Sequence, residues 1–107
     1  MDFDKVVEAR VEAIKATLMA KAKEYVSNGD RFHNFNVAAR MLDSTPEQAL
    51  LGMLMKHIVS VLDLINWAGV SPDRITRELI DEKIGDNINY LILLEGMLKQ
   101  RIGESDE

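Results

Sequence analysis

The stretch STPEQALLGMLMKHIVSVLDLINWAG, residues 44–69, decides the fold of this chain. Thr45 is a typical helix N-cap, Pro46 suits the first helical position, and Gln48 completes a capping box. Apolar residues then cover much of the helix circumference up to residue 68, and Gly69 is the expected end. A helix that is apolar on so many sides is typical of a central element with neighbours on more than one face.

Helical segments are also predicted on both sides of this central helix, because helix-forming residues dominate and strand-type runs are missing. The last segment begins at a second Ser-Pro start, and Thr76 is an alternative start for its main part. Gly85 is a second weak point in it. The sequence therefore predicts an all-α bundle of about four helices without a sheet, in one domain of residues 1–107 with a frayed tail at 103–107. The other helices are expected at residues 2–27, 34–42 and 71–102, with Gly29 and Gly103 as stops.

Composition narrows the class of protein. The chain has 107 residues, no cysteine and a net charge of −5. Disulfides and cysteine-based zinc sites are excluded, and an acidic domain lacks the electrostatic footprint of a generic nucleic-acid binder. No secretory signal is visible at the N-terminus, and Lys56, His57 and Asp63 interrupt the longest apolar run, so we expect a cytoplasmic protein without a membrane span.

Self-association is a further expectation. The third and fourth helices carry more apolar surface than one bundle of this length covers, and large exposed apolar patches usually mark interfaces. The sequence therefore predicts a homo-oligomer.

A polar stripe along the fourth helix is the first candidate site. Glu78, Glu82, Asp86 and Asn89 follow one another at steps of four, four and three residues, which places them on one helix face. Carboxylate and amide oxygens are ligands that Mg²⁺ prefers. A solvated stripe, a buried Asn89 that fixes helix register, and pairing of Glu82 or Asp86 with Lys56 are the alternatives. Next to Lys56, His57 is expected to be a packed, hydrogen-bonded residue.

The connection after the first helix, residues 24–36, is the second candidate site. It combines Arg31, His33 and Asn34, which suit a phosphate or a base, with aromatic residues that suit stacking. Loops carry function disproportionately. The alternative is a helix–helix connection whose aromatic side chains close one end of the bundle.

Three stretches carry a resemblance to a known superfamily: KAKEYVSNGDRFHNF (21–35), KHIVSVLDL (56–64) and ELIDEKIGDNINYLILL (78–94). They resemble the all-α nucleoside triphosphate pyrophosphatase superfamily, the MazG and dimeric dUTPase group, and especially its nucleotide-modification-associated branch found in phages. The resemblance implies an oligomeric bundle in which acids hold Mg²⁺ on the triphosphate of a (deoxy)nucleotide, and hydrolysis releases monophosphate and pyrophosphate. Glu82 and Asp86 match the acids of the last motif, and Asn89 matches its amide.

Two functions follow as hypotheses. The first is a Mg²⁺-dependent nucleotide pyrophosphohydrolase. The second is a non-catalytic, acidic helical module of phage or prophage type that engages a nucleotide or a host protein; the absence of the superfamily's E-E-x-x-E run favours it. A purely structural oligomer is a third. The enzyme hypothesis assigns Glu78, Glu82 and Asp86 to the metal, Asp86 and Lys56 to catalysis, and Arg31, His33, Asn34 and Asn89 to substrate.

Overall fold

The computed structural model of the protein describes residues 1–20 and 29–104, which form four α-helices with no strand or sheet in those ranges. This confirms the predicted all-α class. A π-helical turn, Ala16–Ala20, extends the first helix, and a 3₁₀ turn, Pro72–Arg74, separates the last two. The helices are α1 (Phe3–Lys15), α2 (His33–Met41), α3 (Pro46–Val70) and α4 (Arg77–Arg101).

The start of α3 is formed as the sequence predicts. Thr45 Oγ1 accepts a hydrogen bond from the Gln48 backbone N–H at 3.1 Å, which satisfies one of the free donors of the first turn. The Gln48 side chain bonds to the Ser44 hydroxyl rather than returning to Thr45, so the reciprocal half of the capping box is not made. The prediction that Gly69 ends the helix is wrong by one residue, because Gly69 keeps helical backbone and α3 continues to Val70.

The start of α4 follows the alternative interpretation. Ser71 and Pro72 begin only the short 3₁₀ turn, and the extended backbone of Ile75 interrupts the helical hydrogen bonds. Thr76 then caps α4, because its Oγ1 accepts from the Leu79 N–H at 3.2 Å. The predicted start at residue 71 is therefore wrong.

The remaining helix boundaries that the structure describes lie within one residue of the predicted ones. Gly103 has a φ of +72° just after α4, and Gly29 has a φ of +74° before α2. These are left-handed conformations that glycine adopts without strain. Residues 21–28, which include the last seven residues of the predicted first helix, and residues 105–107 at the end of the predicted tail lie outside the described residues.

Asp30 organises the entry into α2. Its Oδ1 accepts from the Phe32 backbone N–H at 2.9 Å, and its Oδ2 accepts from Asn36 Nδ2 at 3.0 Å. One carboxylate therefore holds the chain before the helix and a side chain in its first turn. The helix begins at His33, one residue before the predicted start.

The core lies where α2, α3 and α4 meet. Because α2 and α4 both pack on α3, the same face of α3 supplies contacts to each of them. Gly96 of α4 lets the Phe32 ring approach its backbone, since a Cβ there would lie 3.0 Å from Phe32 Cζ. The four clustered buried side chains are Phe35, Leu50, Leu54 and Met97, with Phe32, Tyr90, Leu93 and Leu94 packed around them.

Two arginines make polar contacts between helices: one joins the end of α4 to the start of α3, and the other joins α1 to α4. Arg101 in the last turn of α4 donates from Nε and Nη2 to the carboxylate of Glu47 in the first turn of α3, and this hydrogen bonding lowers the pKa of Glu47. Helix α1 has no buried residue and lies on α4, where the Arg10 guanidinium sits above Gly85 and close to Asp81. Gly85 therefore leaves room for the Arg10 guanidinium and does not break α4.

The two candidate starts of the last segment, Ser71 and Thr76, predict different responses to mutation. Thr76→Ala should lower the free energy of unfolding by about 1 kcal/mol, because it removes the N-cap of α4. Ser71→Ala should change it by less than about 0.5 kcal/mol, because the Ser71 side chain makes no capping bond. Urea unfolding followed by circular dichroism measures both values. A larger loss for Ser71→Ala would contradict the assignment of Thr76 as the cap.

Candidate ligand cavity between α2 and α4

Polar side chains of α4 meet α3 just outside the core. Asn87 Nδ2 donates to the backbone carbonyl of His57 on α3 at 2.9 Å and to the carbonyl of Lys83 in its own helix at 2.8 Å. A half-buried amide that bridges two helices in this way fixes their register, since sliding either helix would break the bond. Asn87 thus sets the height at which the neighbouring side chains of α4 face α3.

Asp86 and His57 face each other across the same interface. Asp86 Oδ2 lies 3.5 Å from His57 Nδ1, and the two side chains are 40% and 21% exposed respectively. The contact is an ion pair when the imidazole is protonated. Partial burial weakens the screening by water that makes fully exposed pairs nearly neutral in energy.

An aromatic row continues from His57 into the core. The His57 ring lies 5.0 Å from the Tyr90 ring at an interplanar angle of 32°, and Tyr90 meets Phe35 edge-to-face at 6.4 Å. Such geometries are favourable for aromatic pairs. Burial, and secondarily the negative charge of Asp86, raise the pKa of Tyr90 above its usual value. The phenol therefore stays neutral and available as a hydrogen-bond donor at neutral pH.

A cavity of about 460 Å³ opens beside this row. Its volume falls in the range of small-molecule sites, which are mostly apolar and have a few converging polar groups. Helices α2, α3 and α4 and the π-helical turn all contribute to its wall. The polar contributors are Thr17, Arg31, Asn34, Asp86, Asn89 and Tyr90, and the apolar ones are Leu18, Phe35, Met53 and Leu93.

Asn89 carries an unsatisfied acceptor in this wall. Its Oδ1 is buried, and no donor from the described parts of the chain reaches it. A buried polar atom left without a partner is destabilising by roughly 1–3 kcal/mol. Such atoms are uncommon in folded proteins and require an explanation. A ligand with a hydrogen-bond donor in the cavity would supply one.

Arg31 provides the positive charge of the cavity. The residue is exposed, and its Nη1 donates to the backbone carbonyl of Leu18 in the π-helical turn. This bond uses one of the five guanidinium donors, so the others can bind an anion. Asn34, also exposed, lies on the same wall at the start of α2.

The structure brings four of the sequence-predicted site residues together: Arg31 and Asn34 from the connection, and Asp86 and Asn89 from α4. His33 is half-buried at the start of α2 and does not line the cavity. Lys56, Glu78 and Glu82 are exposed and lie outside it. The polar stripe on α4 therefore runs from solvent at its first turn into the bundle at its third and fourth.

The alternative in which Lys56 pairs with Asp86 is not the contact observed, because α3 turns His57 toward Asp86 and leaves Lys56 on the exposed side. The expectation that His57 is a packed residue is confirmed by its contacts with Asp86 and Tyr90. The sequence did not single out Asn87. The available signal was a second asparagine, two residues from Asn89, in a helix of otherwise apolar and charged residues.

Histidine and acidic side chains are the donors available for a metal ion, since the chain has no cysteine. Within residues 1–20 and 29–104, histidine and acidic side chains do not gather in groups of three or more that would suit a metal ion. The oxygens of Glu82 and Asp86 stand one helical turn apart, and Asp86 already contacts His57. The assignment of Mg²⁺ to Glu78, Glu82 and Asp86 stays a prediction.

Comparison of the chain with protein-family models, curated proteins and solved structures finds no match. The resemblance to the pyrophosphatase superfamily therefore has only the three quoted stretches of sequence behind it, and the cavity is the structural feature that bears on function.

The raised pKa of Tyr90 gives a direct check of this geometry. In a Tyr25→Phe background, which leaves Tyr90 as the only tyrosine, Asp86→Asn should lower the Tyr90 pKa by removing the negative charge. Burial should still hold that pKa above its usual value. Absorbance titration of the phenol measures the change, and Glu82→Gln is the matched control that should leave it unmoved.

The raised pKa of Tyr90 also predicts that the free energy of unfolding falls as the pH rises in the alkaline range. Because the folded pKa lies above the unfolded value near 10, the contribution of Tyr90 is complete below about pH 10 and is lost as pH rises through the folded pKa. Tyr90→Phe should therefore flatten the fall in the free energy of unfolding above about pH 10. An unchanged slope would contradict the burial of the phenol.

Proposed function

We propose that this protein binds a small anionic ligand with a planar ring, of the (deoxy)nucleotide class, in the cavity beside Tyr90. One observation carries the proposal: an unsatisfied buried acceptor, a guanidinium and an aromatic wall line the same cavity. Each of these groups suits a different part of a nucleotide. The sequence resemblance stated above points to the same ligand class.

The base would be recognised by Asn89. An exocyclic amino group of a base is a donor, and it would satisfy the Asn89 Oδ1 that the described parts of the chain leave unpaired. The rings of Tyr90 and Phe35, which meet edge-to-face, supply an apolar wall on which a base can pack. Discrimination between bases would come from this hydrogen bond, since apolar contact is shared by every base.

The phosphate would be bound at Arg31, on the exposed part of the cavity wall. A guanidinium forms paired hydrogen bonds with phosphate oxygens, and Asn34 adds an amide donor nearby. Asp86, on the same wall, repels a phosphate that comes close to it. The ligand would therefore be oriented with its phosphates toward Arg31 and its ring toward Tyr90.

Binding should be measured by isothermal titration calorimetry against a panel of nucleosides and their mono- and triphosphates, without a metal and with Mg²⁺. We expect the phosphorylated forms to bind more tightly than the nucleosides. Arg31→Ala should weaken nucleotide binding by about tenfold or more, because a charged hydrogen bond contributes about 1.5–3 kcal/mol. It should leave the weaker nucleoside binding unchanged.

Arg40→Ala is the matched control, because Arg40 is an exposed arginine of α2 that does not line the cavity. It should preserve nucleotide affinity. An equal loss in both arginine variants would show a general charge effect. If neither the wild type nor the variants show saturable nucleotide binding, the proposal is refuted.

A Mg²⁺-dependent pyrophosphohydrolase is the second candidate, favoured by the position of Asp86 in the cavity wall with Glu82 one turn away. A divalent cation would neutralise the repulsion between Asp86 and a bound triphosphate. His57 would hold the Asp86 carboxylate in place, since the two lie 3.5 Å apart. Glu78 and Lys56 would act from the solvent side, if at all, because both are exposed.

Hydrolysis should appear as pyrophosphate release from a mixed nucleoside triphosphate panel with Mg²⁺, and EDTA should stop it. Asp86→Asn should reduce the rate by at least tenfold, whereas Asp73→Asn, an exposed acid of the 3₁₀ turn, should not change it. Nucleotide binding without pyrophosphate release would indicate a non-catalytic binding module. The missing E-E-x-x-E run favours that alternative.

A further inference from the structure

Helix α3 carries an apolar stripe that no described part of the chain covers. Leu51, Met55, Ile58, Leu62 and Ile65 follow one another at steps of four, three, four and three residues, and Val59 lies beside them. These six side chains are between 40% and 64% exposed. Steps of four and three place them along one line of the helix, as in the contact line of a coiled coil. They are called the outer stripe below.

The outer stripe is distinct from the face that builds the core. Leu50, Leu54, His57, Val61 and Leu64 repeat the same spacing one residue earlier, and each is buried or half-buried. One helix thus carries two parallel apolar lines about 100° apart. The charged residues within this span, Lys56 and Asp63, belong to neither line. The outer stripe is therefore uncharged along its whole length.

The accessible surface of the chain is larger than that of a compact monomer of the same mass. Its accessible area is 8056 Å², whereas a monomeric protein of 12.1 kDa is expected to expose about 6,000 Å². Its radius of gyration is 16.0 Å, against about 13 Å for a compact domain of this length. The excess area is of the order that a stable association buries.

We propose that the outer stripe of α3 is the contact surface for a second copy of this chain. An uncharged line of Leu, Ile and Met is complementary to itself, which is the requirement of a two-fold symmetric contact. Its six side chains are 40–64% exposed, so burying them in both copies approaches the roughly 1,200 Å² lower limit of standard interfaces. Helix α3 is already held by the core, so association does not require helix formation.

A lipid bilayer is the competing occupant. The α3 helix is long and apolar enough to span a membrane by length and composition, with a mean hydropathy of 1.5 over its most apolar 18 residues. However, the line of α3 that begins at Leu50 and Leu54 packs on α2 and α4. Lys56 is the only lysine or arginine of this helix. A net charge of −5 also opposes binding to anionic lipid. These features favour a protein partner with the same apolar line.

Light scattering after size exclusion tests the proposal on the full chain. The wild type should have a mass of about 24 kDa, twice the 12.1 kDa of one chain. Leu62→Glu should halve that mass and keep the helical circular dichroism, because Leu62 is 57% exposed. Leu91→Glu is the matched control: Leu91 is 54% exposed on α4, and this variant should stay a dimer.

Single cysteines locate the contact, because the chain has no cysteine of its own. Ile58 lies at the centre of the outer stripe, so it meets its own copy in either relative orientation of the two helices. Ile58→Cys oxidised with diamide should therefore form a disulfide-linked dimer on a non-reducing gel, and Leu91→Cys should not. Leu51→Cys should cross-link with itself only if the helices are parallel.

Three results would overturn the proposal. The first is a wild-type mass of one chain at micromolar concentration. The second is dissociation by Leu91→Glu but not by Leu62→Glu, which would place the contact on α4. The third is flotation of the wild type with vesicles of phosphatidylcholine and phosphatidylglycerol that Leu62→Glu abolishes, which would make the outer stripe a lipid-binding surface.

Discussion

Leu50 and Leu54 of α3 pack against Phe35 of α2 and Met97 of α4, and the arrangement of these three helices depends on that contact. Leu50 is almost completely buried. Full burial of such a side chain contributes about 1.5–3 kcal/mol, so this small cluster provides much of the tertiary stabilisation between helices. Because both partners use the same face of α3, the cluster also decides which residues of α2 and α4 lie near each other.

The polar groups next to the core follow from this packing. Once α4 lies on α3, Asn87 reaches the His57 carbonyl and Asp86 reaches the His57 ring. Once α2 lies on the same face, Phe35 reaches Tyr90, and the space between α2 and α4 becomes the cavity. The cavity is therefore a product of helix packing, with its aromatic wall continuous with the core.

A short chain with a small core leaves apolar surface exposed, and here that surface is organised. The outer stripe is separate from both the core and the cavity, so the proposed self-association and the proposed ligand binding would use different surfaces of the protein. A second copy along α3 would add buried apolar area where the single chain has least of it, without blocking the residues that line the cavity. Helix α1 itself has no buried residue, and only the π-helical turn that extends it reaches the cavity wall, through Thr17 and Leu18.

The sequence by itself determined the helical class, the cap of α3 at Thr45 and the stop at Gly103, because these depend on side chains and backbone preferences only a few residues apart. It also identified Arg31, Asn34, Asp86 and Asn89 as candidate ligand-binding residues. Only the tertiary structure decided that these four share one cavity, that His57 rather than Lys56 meets Asp86, and that the outer stripe is exposed, with no described part of the chain over it. The packing of α2 and α4 on α3 settles the first outcome, and the rotation of α3 about its axis settles the other two. That rotation is set by which of two apolar lines, one residue apart in sequence, packs on α2 and α4, and helical periodicity alone does not distinguish them.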